Sequence, residues 1–452
     1  MTTSKRRDFL KLMASGMGGV FLTACGSGSG GGGDGGSGAL PVPNGYAFFT
    51  LMSTGDALPT GTTASKLSPV LMINDNSEIL AHCVDSQGAH GVYEYSIGYT
   101  GAKPAVLQTR KILREGDILR DGVEADHFHV GSTNRHGRFA IRVSDKQSGI
   151  PRIYLEQNKD GLVPVVNPYD ALPGMEGKFA AGFGDLELDD ANALLLVSHF
   201  LPEGENAPKK GLFFLADGGV SDNGSLALSS GDLVPGAGTT VTNIGLIDGH
   251  PESGDFVAQI ACGVPPGLTN SGLLGGTRVE QTALVHGKVR QPATRSLKAA
   301  ARSLSLSRAA ALGAIRGDAI HGPRIGGENS VAYIVHTSET STVLYLDDRR
   351  VLGTGDQTPL GNTVAGFSGP LVGRDGLLHF CTVTDRGTEL CLFNGVSVLS
   401  ILAAGRTIET AGERIVALDF GAVRNMVDGK GRLVFLATFE SGRQSVVLGI
   451  PV

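Results

Sequence analysis

The sequence predicts an all-β fold, a seven-bladed β-propeller. Three observations predict it. One strand-and-turn pattern recurs seven times, with repeats of about 50–60 residues, and each copy has room for about four short strands. The composition suits many turns, with 67 glycines and no tryptophan. An open β-solenoid is the rival architecture, but it calls for shorter and more uniform coils.

The pattern is a turn-like Asn/Asp-x-x-Gly followed by alternating apolar residues. Its clearest copy is Asn134-Arg135-His136-Gly137-Arg138-Phe139-Ala140-Ile141. Indexed on the glycine, the copies fall at Ser77, Gly137, Asn192, Gly254, Asn329, Gly376 and Gly431. Two residues on stand Ile79, Phe139, Leu194, Phe256, Val331, Leu378 and Leu433. Four on stand Ala81, Ile141, Leu196, Ala258, Tyr333, Phe380 and Phe435. All of these are apolar, and spacing by two along a strand places them on one buried face.

A second marker runs in step: Gly-Asp with Pro or Gly soon after, as at Gly55-Asp56, Gly116-Asp117, Gly231-Asp232, Gly317-Asp318 and Gly355-Asp356. A decayed copy is Asp170-Ala171-Leu172-Pro173-Gly174. This is turn chemistry. One carboxylate per copy, without neighbouring oxygen ligands, does not make a calcium site. After each indexed strand comes a hairpin: Tyr333 to Leu346, Phe380 to Phe393 and Phe435 to Leu448 align without gaps. Another strand lies upstream of the index, as in Lys178 to Leu188. The last copy stops soon after its hairpin, so the apolar segment Gly45 to Met52 is the natural candidate to complete the final blade.

The N-terminus carries an address. Arg6-Arg7-Asp8-Phe9-Leu10-Lys11 resembles the twin-arginine export motif, and Leu22-Thr23-Ala24-Cys25 resembles a bacterial lipobox. The apolar stretch between them is too short to span a bilayer as a helix. The resemblance implies a signal peptide over 1–24 and diacylation of Cys25, which would anchor the chain stably in a lipid bilayer after passage through the Tat translocase. Residues 25–38 are then the lipidated cysteine and a Gly/Ser tether, and 39–452 the propeller. Gly26 after the cysteine favours, by the same resemblance, the outer membrane of a Gram-negative envelope. The repeats themselves resemble the secreted bacterial tandem-repeat proteins built on N-x-x-G-x-x-A-F, matched here by Asn134, Gly137 and Ala140, and by Ala332 with Tyr333 in the aromatic place. That resemblance implies no established activity and transfers no catalytic residue.

The net charge of −6 argues against a nucleic-acid partner. The fourth copy holds a basic insertion near 290–316, with Arg290, Arg295, Lys298, Arg302, Arg308 and Arg316 and no acid, expected as a helix or loop on the surface. Four cysteines remain beyond Cys25. Cys381 and Cys391 flank the turn at Asp385-Arg386-Gly387 and would face each other across a three-residue loop but not across a two-residue one. Otherwise they serve as small strand hydrophobes.

No nucleophile elbow, H-E-x-x-H, C-x-x-C or P-loop is present. The local anomaly is Asp126-His127-Phe128-His129. Phe128 shares its offset with Phe183 and Phe367, whose neighbours are Gly182, Gly184, Gly366 and Ser368. Alternation puts His127 and His129 on one face, toward the channel if this strand is innermost. Two imidazoles there are candidates for a metal site or for acid–base chemistry, with no third ligand identifiable and no cofactor indicated. Two functions follow. The first is a membrane-anchored binding or scaffold module that engages an envelope protein or extracellular ligand. The alternative is a propeller hydrolase or lyase near the channel, with or without a metal ion.

Overall fold

A computed structural model describes residues 42–452 apart from 102, 157–158, 217–223, 235–238, 250–254, 263–280, 289–302, 307–319, 328–329, 339, 422 and 424. The export motif, Cys25 and the tether lie outside the described residues. So do the index positions Gly254 and Asn329.

Seven antiparallel sheets form the blades. Strand β1 (Tyr46–Ser53) precedes the first blade. Blade 1 is β2 (Ala64–Ile73), β3 (Glu78–Asp85), β4 (His90–Thr100) and β5 (Lys103–Arg114). Blade 2 is β6 (Ala125–Thr133), β7 (Phe139–Asp145), β8 (Pro151–Glu156) and β9 (Leu162–Val166). Blade 3 is β10 (Gly177–Leu188), β11 (Leu194–Pro202), β12 (Lys209–Leu215) and β13 (Gly224–Ser229). Blade 4 is β14 (Leu233–Val234), β15 (Thr239–Gly249), β16 (Asp255–Cys262), β17 (Gln281–Lys288) and β18 (Ser303–Leu306). Blade 5 is β19 (Ile320–Ile325), β20 (Val331–Ser338), β21 (Ser341–Leu346) and β22 (Arg349–Gly353). Blade 6 is β23 (Val364–Val372), β24 (Leu378–Thr384), β25 (Gly387–Phe393) and β26 (Val398–Ala403). Blade 7 is β27 (Thr407–Ile408), β28 (Glu413–Asp419), β29 (Leu433–Phe439) and β30 (Gln444–Pro451), with β1 added outside β30.

The chain is therefore an all-β, seven-bladed β-propeller, and the predicted closing strand is β1. It pairs with β30 from Tyr46↔Pro451 to Ser53↔Ser445, so the first strand of the chain completes the last blade. The basic insertion reaches into the fold at one point, where Ser303–Leu306 pairs with β17 as the outer strand of blade 4. This corrects the expectation of a helix or loop there. The rest of 290–316 lies outside the described residues.

The repeat pattern explains the blade. All fourteen residues two and four places after the index are buried. The residue between them is buried too: Leu80, Ala140, Leu195, Val257, Ala332, His379 and Val434. Both faces of each second strand are covered because a blade packs between two neighbours. One continuous buried cluster runs from Leu371 and Cys381 in blade 6 through Phe435 and Val447 in blade 7 and Ile79 in blade 1 to Phe139 in blade 2. It spans the closure point, and each large side chain so buried contributes about 1.5–3 kcal/mol.

The two turn markers each have one geometry. At the index, Ser77, Gly137, Asn192, Gly376 and Gly431 all have φ between 64° and 85°. Three of the described turns are held by their first residue: the Oδ1 of Asn74, Asn134 and Asp428 accepts two backbone N–H groups from within the turn. In the Gly-Asp loop, Asp56, Asp117, Asp170, Asp232 and Asp356 each accept the backbone N–H three residues upstream at 2.7–2.8 Å. Those carboxylates shape turns. Asp318 lies outside the described residues.

Cys83, Cys262, Cys381 and Cys391 are buried, and Cys83, Cys381 and Cys391 are free thiols. Thr384 pairs with Gly387 across a two-residue loop, which sets Cys381 against Leu390 and Cys391 against Phe380. The two cysteines therefore do not oppose each other.

Candidate functional site: the central channel

The innermost strands β2, β6, β10, β15, β19, β23 and β28 wall a channel. Among the described residues, β2, β6, β10 and β23 begin after a loop of the Gly-Asp type and end at an indexed turn. The channel therefore has a loop face and a turn face, built by different repeat elements.

The turn face is closed by side chains reaching across it. Arg374, in the turn of blade 6, pairs with Asp75 of blade 1 at 3.4 Å and with Asp190 of blade 3. Asp190 also accepts the backbone N–H of Arg135 in blade 2 at 2.9 Å. Asp75 accepts the N–H of Gly429 in blade 7 at 2.8 Å. Asn425 of blade 7 donates to the carbonyl of Thr133 in blade 2 and accepts from Ile73 N of blade 1 at 2.7 Å. What remains is a cavity of about 60 Å3 between Asn74, Asn134, Asp248, Arg324 and Arg374, room for a few waters. Asp75, Arg135, Asp190 and Arg374 all stand two residues before the index. One turn position thus supplies charges of both signs from blades 1, 2, 3 and 6 that meet across the ring. At the same position Gly327 lies where an added Cβ would stand 2.2 Å from the Arg374 carbonyl oxygen, so the crowded rim requires glycine there.

His127 and His129 lie near the loop-face end of β6. Both are exposed, while Phe128 between them packs edge-on against His82 of blade 1 at 5.7 Å. The two imidazoles flank Phe128, and β6 is the first strand of the sheet β6-β7-β8-β9. The side chain of His127 is 86% exposed, with its Nε2 3.5 Å from Asp126 Oδ2. His129 pairs in register with Arg142. The protein around its ring, and after it the Arg142 guanidinium, hold its pKa below the ordinary histidine value. Among the described residues no group of three or more His, Cys, Asp or Glu side chains is placed to share a metal ion. His199 and His336 are exposed, and His199 Nδ1 lies 3.1 Å from the Gly182 carbonyl oxygen.

Two features of the site escaped the sequence reading. The Arg374 brace was visible only as a charge at a repeated turn position. His379 occupies a buried place filled by Leu, Ala or Val in the other copies. Its Nε2 is 3.5 Å from the buried Tyr46 hydroxyl, and desolvation pulls its pKa down to about 4. An alignment of the seven copies shows both anomalies.

No protein-family profile and no curated protein matches this chain. Solved structures resemble it in fold. An acylaminoacyl peptidase from Pyrococcus horikoshii is 10% identical with a TM-score of 0.42, over 87% of this chain and 54% of that one. This chain therefore spans about half the peptidase's length. A PL25 ulvan lyase is 9% identical with a TM-score of 0.39, over 89% and 94%. The BP39L lectin from Burkholderia pseudomallei is 10% identical with a TM-score of 0.37, over 84% and 96%. Fold and site together define a closed β-propeller. At these scores no activity transfers from any of the three.

Proposed function

We propose that the protein is a lipid-anchored envelope lipoprotein, exported by the twin-arginine route, whose propeller is a binding or scaffold module. The observation that carries the binding reading is the asymmetry of the ring. The turn face is braced shut by Arg374, Asp75 and Asp190. The loop face leaves exposed side chains such as His127, His129 and Tyr169 available to a partner. A rigid ring whose blades are locked at one end presents pre-ordered loops at the other, which lowers the ordering cost of binding.

Anchoring rests on Arg6, Arg7, Phe9, Leu10, Lys11 and Cys25. Acyl chains on Cys25 would hold the domain at a membrane surface, and the tether Gly26 to Gly38 would let it stand off by roughly 20 Å as a flexible coil.

Cell fractionation tests the anchor. The wild-type protein is expected in the membrane fraction. Cys25→Ala is expected in the soluble fraction, and the double change of Arg6 and Arg7 to Lys is expected to leave the chain unexported. A Cys25→Ala protein that sediments with membranes as the wild type does would overturn this reading.

A further inference from the structure

Among the described residues, the glycine of the Gly-Asp loop is replaced at one place. At the glycine position stand Gly55, Gly116, Gly231, Gly355 and Gly405, with φ between 85° and 95°. The third repeat has Tyr169 there, at φ 72°. Otherwise the loop is unchanged. Tyr169 N donates to Phe179 O at 2.9 Å, as Gly55 N does to Ala64 O at 2.7 Å, and Asp170 accepts from Asn167 N at 2.8 Å. A bulky residue in the left-handed region is strained, and such strain clusters at functional sites. Burial does not compensate for it, because Tyr169 is 63% exposed. Lys178 holds the ring, with its Nζ 5.6 Å from the centroid.

Beside this ring lies a cavity of about 310 Å3, lined by Asp121, Arg152, Pro164, Asn167 and Pro168 together with Tyr169. That is at the small end of ligand sites. Its polar groups are fixed in advance. Asp121 Oδ2 accepts from Arg152 Nη1 at 2.7 Å and from the Tyr154 hydroxyl at 2.9 Å. Asn167 Nδ2 donates to Asp170 at 3.2 Å, while its Oδ1 is buried and has no hydrogen-bond partner among the described residues.

We infer that this cavity is a subsite for one pyranose ring of a glycan. A pyranose offers C–H groups on its faces and hydroxyls around its rim. An exposed aromatic ring stacks the first, and a carboxylate and a guanidinium take the second. The inference deepens the binding-module reading, on which it rests, by giving the loop face a class of ligand.

Saturation-transfer NMR on the full-length protein, with methyl glycosides of glucose, galactose, mannose and glucuronic acid, tests it. At least one glycoside binds, and Tyr169→Phe keeps that binding. Tyr169→Gly weakens it by about tenfold or more and raises the melting temperature, because glycine accepts this φ without strain. The last pair of effects separates a ligand-binding ring from a merely structural one. A preference for the glucuronide would place the Arg152 charge in recognition. The inference is overturned if none of the four glycosides binds, or if Tyr169→Gly binds as the wild type does. Either result leaves the anchored module intact, since that reading stands or falls on Cys25.

Discussion

Replacing Arg432 with leucine is expected to cost about 3–5 kcal/mol of stability. Arg432 belongs to blade 7, its side chain is 5% exposed, and it joins the last blade to the first. Its Nε donates to Asp428 Oδ2 at 2.6 Å. Its Nη1 donates to Ser77 Oγ at 2.6 Å and to the Tyr99 hydroxyl at 2.8 Å, and its Nη2 to the Asn74 carbonyl at 3.3 Å, all in blade 1. The Asp428 side chain is fully buried. Removing the guanidinium leaves that carboxylate in the protein interior without a counter-charge, which is why breaking a buried pair costs more than the pair contributes.

Two controls follow from the same chemistry. Burial already pushes the Asp428 carboxyl above its ordinary pKa, and Arg432 opposes that shift. Without Arg432 the folded state binds a proton more tightly than the unfolded state does. The deficit of Arg432→Leu should therefore shrink as pH falls through the carboxylate range. Adding Asp428→Asn keeps an oxygen to cap the turn while removing the charge, and should recover most of the loss. Denaturant unfolding at several pH values measures all three. A single-variant cost below about 1 kcal/mol would contradict the account.

Deleting β1 is expected to remove about 5 kcal/mol or more, comparable with the whole net stability of many domains. The strand supplies the outer ladder of blade 7 and buries Tyr46 and Met52, and the Phe48 ring meets Phe435 edge-on at 5.8 Å. Without it β30 becomes an open edge beside an uncovered apolar face, the arrangement that drives association between chains. Thermal denaturation and gel filtration of the variant lacking Tyr46–Ser53 should show a much lower transition and aggregation. A melting temperature within a few degrees of the wild type would show that the ring holds without its closing strand.

The fold was legible because its signal is repeated. A period-two pattern ending in buried Phe139 and Ile141, or Leu378 and Phe380, recurs seven times, so degenerate copies reinforce one another. Closure was legible because the last copy lacks an outer strand and an apolar segment stands unused before the first Gly-Asp. The site was less legible for a physical reason. Repeats carry structure, and specialisation lies in departures from them. His127 and His129 stood out because glycine and serine occupy the matching places in other blades. Tyr169 departs just as sharply from glycine, but its neighbours had drifted enough to hide the alignment. The Arg374 brace depends on which turns meet across the axis, and ring geometry alone decides that.

The most direct test of ring closure uses Ser53 and Ser445. They are paired in register on β1 and β30, 392 residues apart in sequence, with their hydroxyl oxygens 2.7 Å from each other. Cysteines at both positions would lie within disulfide reach only if the first strand sits in the last blade. Mild oxidation of the folded Ser53→Cys/Ser445→Cys protein should cross-link it nearly completely within one chain, giving a faster-migrating species on a denaturing, non-reducing gel and a higher melting temperature. Two thiols that stay free in the folded protein would contradict a closed seven-bladed ring.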